Sequence, residues 1–464
     1  MKKSLLPLIL IPGIAVIVGS IFAYGVLLNN RVSAPSKAEI DMAKMMGITV
    51  DELRRQSPEE HMQAMQELMV QQGHIQEGVM LDRSQQGFLP GKDIDVASLS
   101  PVQPTQVISV NNGDTIELNP TIVRKTIHGK EFAMYGYNGQ IPGPIISAKQ
   151  GDSITVNVTN RIDMETTIHW HGLRHDFKDD GVPDLTQPAI QPNDSYSYTV
   201  RFPDEGVYWY HPHVREDIQQ DMGLYGNLFV ASTEDDSYAP VNQVEPLVLD
   251  DLLLSNEGYP VAFGDDDATH PLMGRFGNTV LTNGKPMEEL YARKGAVVRF
   301  HLTNVANTRT FRFTVGGARP LHAKSGDVVN DPPPMKLVAS DLGRYEHEEW
   351  VDEVTIAPAE RYSIDVYFAE AGTYELNHVS PLGTTLHLGH VHVLEEDNPD
   401  ESWLTNELSR ESYVDAFETL RTNDDITSEI DAFRDEFDRP VDKTLRLAVD
   451  WTMAHAMHHP AEDE

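Results

Sequence analysis

The sequence predicts an all-β chain built of two consecutive sandwiches on one repeated plan. Three observations carry that expectation. Short runs of alternating apolar and polar residues fill the middle of the chain, turn residues separate them, and a second set of landmarks copies the first. The chain has 464 residues, 40% hydrophobic, with 32 glycines and 29 prolines. That is enough for two or three cores, and such strand-turn punctuation points to sandwiches rather than helical bundles.

Taken in order, residues 1–30 read as a membrane anchor or signal segment. Lys2 and Lys3 precede an uncharged, mostly apolar run from Ser4 to Leu28. A spanning helix needs roughly 20 apolar residues and a signal-peptide core about 7–15, so the length favours an uncleaved transmembrane helix. The lysines then stay cytoplasmic and the rest is extracytoplasmic, anchored to the cell membrane. Cleavage near "VSA" at 32–34 makes it secreted instead.

Residues 31–100 read as a helical, Met-rich linker. Thr49 and Ser57 stand as N-caps with Glu52 and Glu60 three residues on. Met42, Met45, Met46, Met62, Met65 and Met69 cluster there. They are read as packing at helical spacing, with a copper(I) thioether stripe as the alternative. Residues 74–100 carry no periodic pattern and read as linker.

The first sandwich is expected over 101–235, from "QVISV", "TIELNPTIVRKTI", "SITVNVTN", "SYSYTVRF" and "YGNLFVAS". The second is expected over 240–396. Asn138-Gly139, Gly151 and the strand ending at Asn160 are answered by Asn283-Gly284, Gly295 and the strand ending at Asn304. "EGVYWYHPH" at 205–213 is answered by "AGTYELNHV" at 371–379. Such repetition implies two copies of one domain. Residues 397–442 read as an acidic, partly helical connector. Residues 443–464 open a third block of the same kind, with the strand alternation of "KTLRLAV", and that block is not completed.

Charge and cysteine content narrow the chemistry. The net charge is −36, from 72 acidic and 36 basic residues, which argues against nucleic acid as a partner. Cysteine is absent, excluding disulfides, thiol catalysis and thiolate ligands within this sequence. Metal binding falls to His, carboxylate or Met.

"TIHWHGL" and "YWYHPHV" each hold an H-x-H pair, His169 with His171 and His211 with His213. On a strand, residues two apart share a face, so each pair can point together. Two such pairs within one sandwich point to metal ligation, and imidazole suits copper, zinc, iron or nickel. One pair alone is weak, because a strand histidine is often structural.

"YGYNGQIPGPIISAKQGD", "IHWHGL", "DGVPD" and "GVYWYHPHVREDIQQDMGLYGNLFV" resemble the first domain of the laccase-like, three-domain multicopper oxidases. The resemblance runs over roughly 105–395 and implies two cupredoxin-like Greek-key sandwiches, the second a copper-free spacer. It implies a type-2 copper on His169 and a type-3 pair on His171, His211 and His213. Asp180, in "DDGVPD", matches the acidic residue that assists proton delivery. Its plain alternative is a turn aspartate before Gly181. Trp170 is read as packing for the ligand strand.

In that family a type-1 copper with a cysteine thiolate takes electrons from a reducing substrate, a phenol or a metal ion. A trinuclear cluster on eight histidines then reduces dioxygen to water. Here only four of those histidines and no cysteine are present. The expectation is therefore half of a type-2 and type-3 copper site, without the type-1 site, in a truncated chain not competent as an oxidase alone. The alternative is a non-catalytic extracytoplasmic copper-binding or copper-tolerance protein.

"HLGHVH" places His387, His390 and His392 in the spacing of the family's third-domain motif, but on the last strand of block two. Strict alternation puts His390 and His392 on one face and His387 on the other. This is read as coincidence, with an accessory metal site as the alternative. The tail residues Met453, His455, Met457, His458 and His459 are either a copper scavenger or a loose end.

Overall fold

The computed structural model describes residues 49–50, 87–234, 237–264, 274–317, 331–341, 343–380, 383–395, 410–437 and 439–444. The apolar N-terminal run, the Met cluster, Ser57 and the His/Met tail lie outside the described residues. Among the described residues, no helix is long and apolar enough to cross a membrane.

Strands β1 (Val107–Ser109), β2 (Thr115–Glu117), β3 (Pro120–Ile127), β4 (Lys130–Tyr137), β5 (Ile145–Lys149), β6 (Ser153–Thr159), β7 (His169–His171), β8 (Ser195–Arg201), β9 (Gly206–His211) and β10 (Gly226–Ala231) build the first sandwich. One sheet runs β1-β5-β10-β9-β7; β2-β6-β8 and β3-β4 form the others. The alternation read from the sequence is the physical cause. In "SITVNVT", Ile154, Val156 and Val158 are buried while the residues between them are not.

The second sandwich holds β11 (Gln243–Leu252), β12 (Thr279–Thr282), β13 (Glu288–Arg293), β14 (Ala296–Asn304), β15 (Phe311–Val315), β16 (Met335–Ser340), β17 (Gly343–Val351), β18 (Val354–Ile356), β19 (Arg361–Phe368), β20 (Gly372–Val379) and β21 (Thr385–Leu394). Its sheets run β12-β11-β14-β19-β16-β17 and β13-β21-β20-β15-β18.

The internal repeat is structural down to single atoms. Asn138 and Asn283 both sit in the left-handed region, at φ 51° and 50°. Asn138 Oδ1 accepts from the Asn119 N–H and its amide donates to the Glu117 carbonyl. Asn283 does the same with Val248 and Pro246. Asn160 and Asn304 each accept from the N–H two residues on and donate to two carbonyls. Each ties its strand end to the following loop, which is why asparagine recurs there.

Two expectations need correction. Residues 87–100 are not a bare linker. Phe88 exchanges both backbone hydrogen bonds with Phe263, at 2.7 and 2.9 Å, and packs its ring on the first core. The Gly91 N–H donates to Asp163. An aromatic ring in a polar stretch thus staples the segment down by burial. The second correction concerns His387. β20 and β21 shift register at Leu376, so Leu388 is an extra residue opposite the partner strand. This β-bulge resets the alternation. Leu388, Val391 and Val393 point inward, and His387 joins His390 and His392 on the outer face.

The acidic stretch forms helices Arg410–Glu418, Asp424–Asp431 and Arg434–Phe437. Tyr413 and Phe417 bury against Val297 of the second sandwich. The ammonium of the fully buried Lys336 donates to the carbonyls of Ala416 and Thr419 and pairs with Glu348 at 2.8 Å. A cation at the carbonyl end of a helix is favourably placed.

The sandwiches touch through polar and apolar contacts. Val248, Leu252, Leu281 and Val305 extend the first core. Asn227 donates to Thr303 Oγ1 at 2.8 Å, Gln220 to the Val305 carbonyl at 2.8 Å, and Arg344 pairs with Glu205 at 2.7 Å.

Candidate metal centre

β7 is three residues long, and its two outer positions are His169 and His171, with Trp170 buried between them. It pairs antiparallel with β9 so that His169 faces His211 across the ladder. His213 follows β9, its N–H held by Thr167 Oγ1 at 3.1 Å. The two H-x-H pairs therefore converge. Ring centroids lie 4.5 Å apart for His169–His213, 5.3 Å for His211–His213, 5.4 Å for His169–His211 and 5.5 Å for His171–His211. One nitrogen from each of His169, His171 and His211 lies within 4.8 Å of the others. His213 stands beside this trio rather than inside it.

The far nitrogens are anchored. His169 Nδ1 is 2.8 Å from the Asp180 carbonyl, and His211 Nδ1 is 2.9 Å from the Pro212 carbonyl. His213 Nδ1 bonds the Glu216 carboxylate. A proton held on Nδ1 by an oxygen leaves the Nε2 lone pair free for a metal, and fixes the ring's orientation. His171 is the exception: its Nδ1 faces His211 Nε2 at 3.3 Å. Two ligands of one ion with bonds of about 2.0 Å stand roughly 3.3 Å apart in a tetrahedral arrangement. The donor set fits a borderline ion such as copper.

Electrostatics favour the neutral form of His169, His171 and His211. Burial, then the nearby Arg361 guanidinium, pushes His171 down to about 3. Burial and the other imidazoles hold His211 well below its ordinary value, and burial lowers His169. Neutral imidazole is the form that binds metal. Trp209 stacks on His211 at 4.1 Å and 21°, and Trp170 meets Tyr198 edge-on at 5.7 Å. Both indoles pack the ligand strands, in keeping with the reading of Trp170.

Asp180 sits where the sequence places it, beside His169. Its Oδ1 lies 3.3 Å from His169 Nδ1 and 3.4 Å from His175 Nε2. Gly181 makes that approach possible. At φ +75°, any Cβ there would come within 1.9 Å of the Ile168 carbonyl oxygen. Asp180 thus stands in a turn before Gly181 and beside the His169 ring.

Sequence reasoning missed three neighbours. His175, with a buried side chain, lies in "GLRHD", four residues past His171, with no pair spacing to flag it. Glu216 stands three residues past His213, a signal that could have found it. Arg361 comes from the second sandwich and has no local signature. Its Nε donates to the Val207 carbonyl at 3.1 Å, and a Cβ on Gly172 would meet its Nη2 at 2.5 Å.

In the second sandwich the same positions carry no ligands. Asn377 pairs with Thr314 as His211 pairs with His169. Extending that register, Thr314, Gly316, Asn377 and Val379 stand where the four histidines do.

The family model for multicopper oxidases matches residues 121–235, which contain all four histidines. Residues 121–235 form a multicopper oxidase-type domain. The chain is 29% identical over 268 residues to copper resistance protein A of Escherichia coli, covering 52% of this chain and 44% of that protein. The chain therefore spans under half the length of that relative. Its fold is similar to a solved multicopper oxidase from Pseudomonas thermotolerans, with a TM-score of 0.53 and 26% identity over 66% of this chain and 68% of that one. A bacterial laccase-like multicopper oxidase from Ochrobactrum sp. gives a TM-score of 0.54 at 26% identity, covering 65% of this chain and 69% of that one.

Proposed function

We propose that this chain is a multicopper oxidase family member and supplies the four-histidine half of a type-2 and type-3 copper site. The chemistry that site serves is oxidation of a reducing substrate, a phenol or a metal ion, with reduction of dioxygen to water. The observation that carries the reading is the convergence of four rings, three with Nδ1 anchored on oxygen. Bound copper would supply one-electron redox steps and activation of dioxygen.

The residues' own work is positional. His169 takes the type-2 role; His171, His211 and His213 take the type-3 role. The β7–β9 ladder fixes their backbones, Trp209 holds the His211 ring, and Glu216 holds His213. Asp180, half-buried and beside both His169 and His175, can take a proton from solvent at Oδ1 and deliver it toward the site. Cysteine is absent, so a type-1 thiolate site and the remaining histidines would have to come from other residues than these.

A second reading, copper binding or tolerance without turnover, takes its support from the name of the E. coli relative, copper resistance protein A. Copper counting and oxygen uptake separate the two. Copper-loaded protein that consumes oxygen with a phenol or Cu(I) supports the oxidase reading, and copper held without uptake supports the second. His171→Ala should lower copper stoichiometry and leave the unfolding midpoint nearly unchanged; unchanged copper content sinks the ligand assignment. An extracytoplasmic location, with the N-terminal apolar run as anchor, belongs to the same proposal. Protease accessibility on intact cells tests it.

A further inference from the structure

A second cluster of ligand-type side chains lies on the outer face of the β13-β21-β20 sheet. β13 and β21 pair in parallel, with Glu289 beside His390 and Tyr291 beside His392. On the other flank, Glu375 lies beside His390 and Thr373 beside His392. Each oxygen of Glu289 meets one imidazole: Oε1 is 3.1 Å from His390 Nδ1, and Oε2 is 2.6 Å from His392 Nε2. The remaining nitrogen of His392 is held by Thr373 Oγ1 at 3.2 Å. The three ligand atoms lie within 4.8 Å of one another.

We propose that Glu289, His390 and His392 form a surface binding site for a divalent first-row transition ion, tightest for copper(II). Two imidazoles and one carboxylate on one face leave further positions open to water. The Irving–Williams order puts copper(II) first for such donors. The backbones are set by paired strands rather than loops, so only side-chain rotation is needed to close the ligand atoms to roughly 3.3 Å. Thr373 fixes the His392 ring as an outer partner does in metal sites. Glu375, beside His390 on the other flank and 3.8 Å from His387 Nδ1, adds negative charge to the same face. Nothing in this arrangement depends on the His169 cluster, whose ligand positions in this sandwich have been replaced.

The test uses the full chain titrated with copper(II) against a competing chelator, read by metal analysis and electron paramagnetic resonance. Wild type is expected to hold one more copper(II) per chain than the H390N/H392N double variant. Glu289→Gln should weaken the same ion by tenfold or more. His171→Ala, which alters the other cluster, should leave this ion in place with its two-nitrogen splitting. Near-UV circular dichroism checks that the exposed substitutions leave the fold intact. Equal copper content in wild type and a folded H390N/H392N variant overturns the proposal, as does loss of the two-nitrogen signal in His171→Ala alone.

Discussion

Gly181→Ala tests how the Asp180 loop holds His169. The glycine sits at φ +75°, and an added Cβ would lie 1.9 Å from the Ile168 carbonyl oxygen and 2.9 Å from the His169 nitrogen. Restoring ordinary contact near 3.4 Å means moving the loop by about 1.5 Å. The Asp180 carbonyl, 2.8 Å from His169 Nδ1, belongs to the peptide that must move. Gly151 provides the control, with φ +90° and nothing within 4 Å of its Cβ position. Gly151→Ala should cost only the left-handed backbone penalty, about 1–2 kcal/mol. Gly181→Ala adds an overpacking cost of about 1–3 kcal/mol, so the total is about 2–5 kcal/mol. The lost anchor should also weaken copper binding ten- to a hundredfold. Urea unfolding and copper titration on both variants measure these differences. Equal stability and equal copper affinity in the two alanine variants refute the account.

Other expectations concern single contacts. Glu216→Ala removes the carboxylate on His213 Nδ1 and should weaken copper binding ten- to a hundredfold with little change in stability; chelator competition measures it, and unchanged affinity contradicts the anchoring role. Asp365→Ala strands the buried Arg299 guanidinium, which pairs with it at 2.7 and 2.8 Å, and should cost about 3–5 kcal/mol in denaturant unfolding. A loss under about 1 kcal/mol would show that Arg299 finds another partner. His378 is buried, with its Nδ1 accepting from the Arg312 N–H, and burial followed by the charge of Arg309 pushes it down to about 4. The folded state then binds fewer protons than the unfolded one below pH 6.5, so stability should fall as pH drops toward 4. His378→Asn should flatten that slope, and an unchanged slope means another group carries it.

Much of this was written locally in the sequence. The alternation of "SITVNVT" gives a half-buried strand because side chains on a strand alternate faces, and the matched Asn-Gly turns give the repeat because few other residues accept that backbone. The H-x-H pairs were legible for the same reason. Arg361 was not, because its place beside His171 depends on how two sandwiches dock. The bulge that turns His387 outward was nearly legible. Gly389 interrupts the strand, and a Cβ there would come within 2.5 Å of the Glu288 carbonyl oxygen. Glycine inside a strand often marks such an irregularity. Phe88 was missed because one aromatic residue in a polar stretch has no periodicity to read.

The Arg361 contact has a thermodynamic corollary. Its side chain, anchored by Asp341 at 2.7 Å within the second sandwich, lies against the backbone just past His171 in the first. Any ion that prefers His171 in the orientation this docking gives it must, by linkage, strengthen the docking by the same free energy. Metal occupancy and the stiffness of the joint between the sandwiches are then two readings of one equilibrium. The second sandwich, which lends no ligand to the His169 cluster, thereby takes part in setting the affinity of its neighbour.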